Sequence, residues 1–306
     1  MNAYLVRKLI ALPLILLLAS LLIFSAVRLL PGDPARLMAG MQADQSTVES
    51  VRHRMGLDQP FPIQYERFLK RALHGDLGQS TRSQQPVSKE IAERLPYTVA
   101  LTSVSYTLAI VFGLSIGVLA AVYRGSWLDS SVMFFAISGA SVANFWIALM
   151  AMDLFAVKFG WLPLMGAGDW RSYILPAATL ALAPTAIIAR MTRGSMLEII
   201  HQDYIRTARA KGLSKAKVYL KHALRNALVP IVTIVGMNFA ALLGGAVITE
   251  SVFNWPGVGR LMVDAVRYRD YSTIQGITLI TVLLVVVINF LADLAVGFLN
   301  PRIRFD

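Results

Sequence analysis

The chain has 306 residues, of which 56% are hydrophobic and only 15% charged, with a formal net charge of +11 and no cysteine. Soluble domains carry about 25% charged residues, so this composition excludes an ordinary soluble globule and a disordered chain and points to a polytopic membrane protein. The lack of cysteine excludes a disulfide scaffold, thiolate metal sites and a cysteine nucleophile.

The first apolar run, Leu9–Val27, carries no charge and follows Arg7 and Lys8. It is long for a signal peptide and ends in Arg28-Leu29-Leu30-Pro31 rather than a small-residue cleavage site, so it reads as a retained first helix. Pro13 falls in its first turns, where a lost N–H costs little. The polar stretch Pro31–Tyr97 follows, long enough for a small extramembrane subdomain. Five further apolar segments come next: Val99–Tyr123, Ser130–Val157, Ile174–Ala189, Ala227–Thr249 and Ile274–Leu299. Six spans of about 20 residues each are therefore expected, with residues 1–30 as tail and first helix, 31–97 as the loop subdomain and 98–306 as a five-helix core.

Lys/Arg placement sets the orientation. With the N-terminus inside, the inner segments hold Arg7, Lys8, Arg124, nine basic residues from Arg190 to Arg225, Arg302 and Arg304. The short outer loops hold only Lys158, Arg171, Arg260, Arg267 and Arg269. Both termini are expected in the cytoplasm. The positive excess thus follows from topology, with anionic lipid as a natural neighbour, and does not require nucleic acid.

The second span places Ala109, Gly113, Gly117 and Ala121 at four-residue intervals, a stripe that lets two helix backbones approach closely. The fifth repeats the device at Gly236, Ala240 and Gly244. Asp153, Asn238, Glu250, Asn289 and Asp293 are the polar groups at or within spans. Each is a candidate for a translocation path or a helix-end residue, because isolated polar groups in lipid need partners or water.

The inner loop 190–226 is the most patterned region. Ser195 and Glu198 have capping-box spacing. The helix they would open is expected to stop at Gly212, and Ser214 can cap a second helix leading to Asn226. The outer sequence Trp255-Pro256-Gly257 reads as a turn, and Asp33, between Gly32 and Pro34, as a turn or helix-end residue. His53, His74, His201 and His222 form no metal-ligand spacing, although His74 lies near Asp76.

The segment Asp203-Tyr204-Ile205-Arg206-Thr207-Ala208-Arg209-Ala210-Lys211-Gly212 resembles the cytoplasmic loop of binding-protein-dependent ABC importer permeases. Against the general Glu-Ala-Ala-x-x-x-Gly pattern the match is degenerate, with Arg206 and Thr207 at the Glu and first Ala positions. The similarity to the peptide and nickel branch is closer. It runs through Pro31-Gly32-Asp33-Pro34, Gly56-Leu57-Asp58-Gln59-Pro60, His74-Gly75-Asp76-Leu77-Gly78, Phe253 to Arg260, Arg269-Asp270-Tyr271 and Asn300 to Arg304. The long loop after the first span resembles the B-type member of the B/C permease pair.

The resemblance implies an all-α, six-helix type I importer permease with a coupling helix between helices 4 and 5. It implies residence in the bacterial inner membrane. The implied partners are a second, C-type permease, two cytoplasmic ATPase subunits that hold ATP and Mg, and an extracytoplasmic substrate-binding protein. The ATPase-coupling residues would be Asp203, Tyr204, Arg206, Thr207, Ala208, Arg209, Ala210, Lys211, Gly212 and Leu213. The residues agree on one point: no Gly-Lys pair occurs, so the chain has no phosphate loop and binds no cofactor in that way. Small or glutathione-like peptides are the expected cargo, and nickel or a metal chelate is the alternative. A stand-alone ion-coupled carrier would need more buried ionisable relays than are present. An intramembrane enzyme lacks a nucleophile–base pair or metal motif within the spans.

Overall fold

A computed structural model describes residues 2–29, 33–40 and 42–299. Among the described residues it is helical without a named strand. The order is α1 (Asn2–Leu29), α2 (Pro34–Ala39), α3 (Gln45–Met55), α4 (Phe61–Leu73), α5 (Val87–Val122), α6 (Trp127–Ser141), α7 (Asn144–Ala151), α8 (Ile174–Ile200), α9 (Asp203–Ala210), α10 (Lys215–Lys217), α11 (Leu224–Val252), α12 (Val258–Arg267) and α13 (Tyr271–Leu299). Two π-helical stretches, Met152–Lys158 and Val218–Ala223, extend α7 and join α10 to α11. By length and composition, Val87–Val122, Trp170–Ile200 and Tyr271–Ala292 can each cross a membrane. The pair Lys215–Leu228 and Pro230–Gly236, bent by 49°, makes a fourth if it is one broken span rather than a re-entrant loop. Pro230 explains the bend, because its ring lacks an N–H and crowds the preceding turn.

The chain forms two compact units. One comprises 2–96 and 260–286. In it Phe24 of α1, 2% exposed, is ringed by Phe61, Tyr65 and Phe68 of α4 at centroid distances of 5.3, 5.4 and 5.3 Å. Ser20 and the Tyr65 hydroxyl share a 2.8 Å hydrogen bond. Asp33 caps α2 by accepting from the Ala35 N–H, and it pairs with Arg52 at 2.7 Å, which is the helix-end reading of that residue. Asp270 accepts from the Ser80 hydroxyl and from Thr273, fixing the start of α13. His74 bonds the Lys70 carbonyl while Asp76 faces Arg71, so the two do not converge. Among the described residues no three His, Asp or Glu side chains are placed to share a metal.

The second unit comprises 97–259 and 287–299 of the described chain. One of its close seams lies between α5 and α8. Ala109 and Ala121 of the α5 stripe are buried with Ile188 in one core. A Cβ on Gly113 would lie 2.8 Å from Ile188, and one on Gly117 2.6 Å from the Ala189 carbonyl oxygen. The stripe therefore serves helix packing. In α11, Gly236 meets Ala292 of α13, but Gly244 has nothing within 4 Å among the described residues. Apolar side chains on the outside, such as Phe134 and Phe135 at 65% and 71% exposure, suit a lipid surround.

Three local expectations are corrected. The segment Ser130–Val157 is not one helix: Val142 and Ala143 are extended and separate α6 from α7. The residues before the break, Ser138-Gly139-Ala140-Ser141, include a glycine and two serines that hold a helix weakly. Next, α5 starts at Val87 rather than Val99. Its 36 residues span about 54 Å, well beyond a bilayer core of about 30 Å. Finally, Ser195 and Glu198 form no capping box. They lie inside α8, which runs to Ile200, and Ser195 is buried. Buried positions at Ile188, Thr192 and Met196 keep the helical interval going past Ala189.

Candidate functional site

The segment after α8 is built by local signals. The chain breaks at His201-Gln202, and α9 then runs for eight residues. Its end is set by Gly212, whose φ of +73° is the left-handed conformation that glycine adopts without strain. The Gly212 N–H donates to the Arg209 carbonyl at 2.9 Å, closing the last turn. Ser214 then accepts from the Lys217 N–H and opens the next helix, as expected from its position.

Two residues fasten α9 to the second unit. Ile205 is fully buried and Ala208 8% exposed, three apart on one face, in the core that holds Met196, Val218 and Ala223. Leu213 packs against the same cluster. Ile205 is absent from the residues singled out by sequence, because it interrupts a polar run, yet it is the anchor. The opposite face is open: Asp203, Arg206, Thr207, Arg209, Ala210, Lys211 and Gly212 are exposed. Tyr204 is 44% exposed and accepts a 2.9 Å hydrogen bond from the Asn226 amide. Arg206 lies 3.7 Å from Asp203, with side chains 82% and 95% exposed, a pairing that water largely screens. The Arg209 guanidinium sits 5.9 Å from the centre of the Tyr219 ring. The outcome is a short, basic helix with a buried seam and a free polar face.

A second feature, close in sequence to α9, was not foreseen. Arg193 of α8 pairs with Asp129 in the first turn of α6 through two nitrogens, Nη2 to Oδ2 at 2.8 Å and Nε to Oδ1 at 2.5 Å. The Asp129 side chain is 7% exposed and that of Arg193 25%. The carboxylate also accepts from the Gly125 N–H. The available signal was a lone acid next to a predicted span and an arginine on the continuing buried face of α8. The pairing itself is nonlocal.

Of the five polar candidates at the spans, the four whose side chains are described are not brought together. Asp153 pairs with Lys158 at 2.8 Å on the surface. Asn238 donates to the Ile234 carbonyl of its own helix. Asn289 is exposed, and the side chain of Asp293 lies outside the described residues. Glu250 is fully buried. It accepts from the Thr98 hydroxyl at 2.6 Å and lies so close beneath Gly257 that a Cβ there would overlap the carboxylate. Thr98 in turn accepts from the Val258 N–H. Trp255, also fully buried, donates from Nε1 to the Tyr97 carbonyl at 3.1 Å and meets the Tyr173 ring edge-on. In this arrangement Trp255-Pro256-Gly257 is a structural turn, and Glu250 is its support.

Comparison with known proteins gives this geometry its context. The model of binding-protein-dependent transport system inner membrane components matches residues 113–305, and the N-terminal model of the same systems matches 1–102. The glutathione transport system permease protein GsiC of Pectobacterium atrosepticum is 47% identical over 302 residues, 99% of each chain. The protein of that name from Escherichia coli K12 is 45% identical over the same extent. Among solved structures, the inward-facing MetNI methionine ABC transporter matches with a TM-score of 0.58 at 22% identity, over 69% of this chain and 96% of that one. An amino acid ABC transporter with histidines gives 0.55 at 17%, over 69% and 94%. The last two share the type I importer permease fold. Family models that together span nearly the whole chain, and relatives aligned end to end, show that this protein belongs to the binding-protein-dependent transport system inner membrane component family, as a permease subunit of an ABC importer.

Proposed function

We propose that the chain is the non-catalytic membrane half of an ATP-driven importer for small peptides, glutathione-like tripeptides foremost. It would cross the inner membrane six times with both termini in the cytoplasm. Its partners would be a second, similar permease, two ATPase subunits that bind ATP and Mg, and an extracytoplasmic binding protein that delivers cargo. The cargo reading rests on the names of the full-length relatives. The nickel or metal-chelate alternative draws no support from them.

The observation that carries the mechanism is the two-faced α9. Ile205 and Ala208 lock one side into the core between α8 and α11, so a push on the exposed side is transmitted to both helices as a rigid-body movement. Arg206, Arg209 and Lys211 offer charge to an acidic groove on an ATPase, and Ala210 and Gly212 permit close approach. ATP binding would draw the ATPases together and carry α9 along. The spans would then reorient, and cargo would pass between the two permeases.

The test is uptake by the complete transporter in vesicles, with its binding protein present. Labelled glutathione should accumulate only with ATP, and excess nickel should not compete. Reversing two charges, Arg206→Glu with Lys211→Glu, should abolish cargo-stimulated ATP hydrolysis while the permease still inserts. Unaltered stimulation in that variant would overturn the assignment of α9, and uptake of a metal chelate in preference to glutathione would overturn the cargo.

A further inference from the structure

Two clefts open in the first unit. Both are lined by α1, α4 and α13, the first also by Arg54 of α3 and the second also by Ser88, Ile91, Ala92 and Leu95 of α5, and both touch Leu77. The first, about 450 Å³, lies at the end of α1 that leads into the 33–96 segment. It gathers Arg28, Arg54, Arg67, Lys70 and Arg71 against a single carboxylate, Asp76. The second, about 660 Å³, lies deeper along the same helices, beside Leu16 and Leu17 of α1 and Leu279 and Leu283 of α13. Its lining is apolar apart from Ser20 and Ser88.

The cations of the first cleft are only partly answered. Arg71 pairs with Asp76 at 2.8 Å, Lys70 with Glu66 at 2.6 Å, and Arg28 donates to Gln64 while lying over the Phe24 ring. The side chains of Arg54 and Arg67 make no hydrogen bond or ion pair within 4 Å among the described residues, and Arg67 feels the Glu66 charge only at longer range. A separate sign comes from Gln275, which lines the same cleft and buries its Nε2 without a hydrogen-bond partner. Buried donors without acceptors are uncommon, and two other residues lining the cleft, Arg54 and Arg67, carry the side chains best shaped for phosphate oxygens.

We propose that these clefts together bind one anionic phospholipid, its phosphate between Arg54, Arg67 and Gln275 and an acyl chain in the apolar cleft below. A free anion would use the upper cleft alone and leave the lower without purpose. A zwitterionic lipid would bring no net charge to answer the arginines. The site depends neither on the cargo nor on how α9 couples to an ATPase.

The experiment is native mass spectrometry of the assembled transporter, delipidated in detergent and titrated with phosphatidylglycerol, phosphatidylcholine or inorganic phosphate. Phosphatidylglycerol adducts are expected to form preferentially. Each of Arg54→Gln and Arg67→Gln should weaken them about fivefold, whereas Arg54→Lys and Arg67→Lys should largely retain them. Ala92→Phe, which fills the apolar cleft without touching a charge, should weaken them too. Equal binding of phosphatidylglycerol and phosphatidylcholine, or no change in the Gln variants, would overturn the site. Thermal stabilisation by inorganic phosphate equal to that by phosphatidylglycerol, with Ala92→Phe without effect, would replace the lipid with a free anion.

Discussion

The two glycine stripes of this chain have the same spacing and meet different surroundings. On α5, Gly113 and Gly117 press against α8 so closely that a methyl group would strike Ile188 or Thr192. On α11, Gly236 touches Ala292, but two turns later Gly244 faces no neighbour within 4 Å among the described residues. Small residues permit close approach without specifying a partner. The first stripe is consumed inside the subunit. The second is only partly used, as befits a chain that belongs to a multi-subunit transporter.

The sharpest way to break this contrast is Gly117→Leu. The side chain would have to displace Thr192 and the Ala189 carbonyl, and a loss of about 3 kcal/mol is expected for such overpacking. It would be read as a fall in Tm and in monodisperse solubilised protein. Tolerance of Leu there would mean that the α5–α8 seam is loose.

Next comes Asp129→Ala. Removing one partner of a buried pair strands the other charge, at about 3–5 kcal/mol when burial is complete. Arg193 is a quarter exposed, so about 2 kcal/mol is expected. The double variant Asp129→Ala with Arg193→Met should recover most of that Tm loss; failure to recover would show that Asp129 acts alone.

A smaller stability effect with a larger functional one is expected of Gly212→Val. The space is open, but φ is +73°, and an L-residue there costs about 1–2 kcal/mol. Cargo-stimulated ATP hydrolysis should be lost, while Gly212→Asn, which tolerates that φ, should keep it. Smallest of all, Gly244→Ala should move the Tm of the isolated subunit by no more than about 0.5 kcal/mol equivalent. A large loss there would erase the difference between the stripes.

What could be read in the sequence was whatever is local. Apolar runs marked the helices, Gly212 marked the end of α9, Ser214 marked the start of the next helix, and Asp33 marked a helix end. The α5 stripe announced packing, although its partner α8 could not be named. What escaped depends on distant residues or on competing local signals. Ser195 and Glu198 have the spacing of a cap, but the buried face through Thr192 and Met196 outweighs it and keeps α8 intact. Asp129 and Arg193 lie 64 residues apart, and neither carries a mark of the other. The anchoring role of Ile205 shows only once α9 lies on the core, and the break at Val142–Ala143 hides within an apolar run.

The π-helical turn Val218–Ala223 has a consequence for insertions and deletions. The buried positions Val218, Ala223, Ala227 and Ile231 are spaced five, four and four apart. In a regular helix the interval of five would swing Val218 off the inner face. The wider turn absorbs one extra residue and so keeps the phase. Deleting a single residue from 218–223 would therefore leave a regular helix with the inner face still in phase. One added residue would instead rotate what precedes it by about 100° and turn the α9 attachment away from its seat. Related chains should accordingly lose a residue here more readily than they gain one.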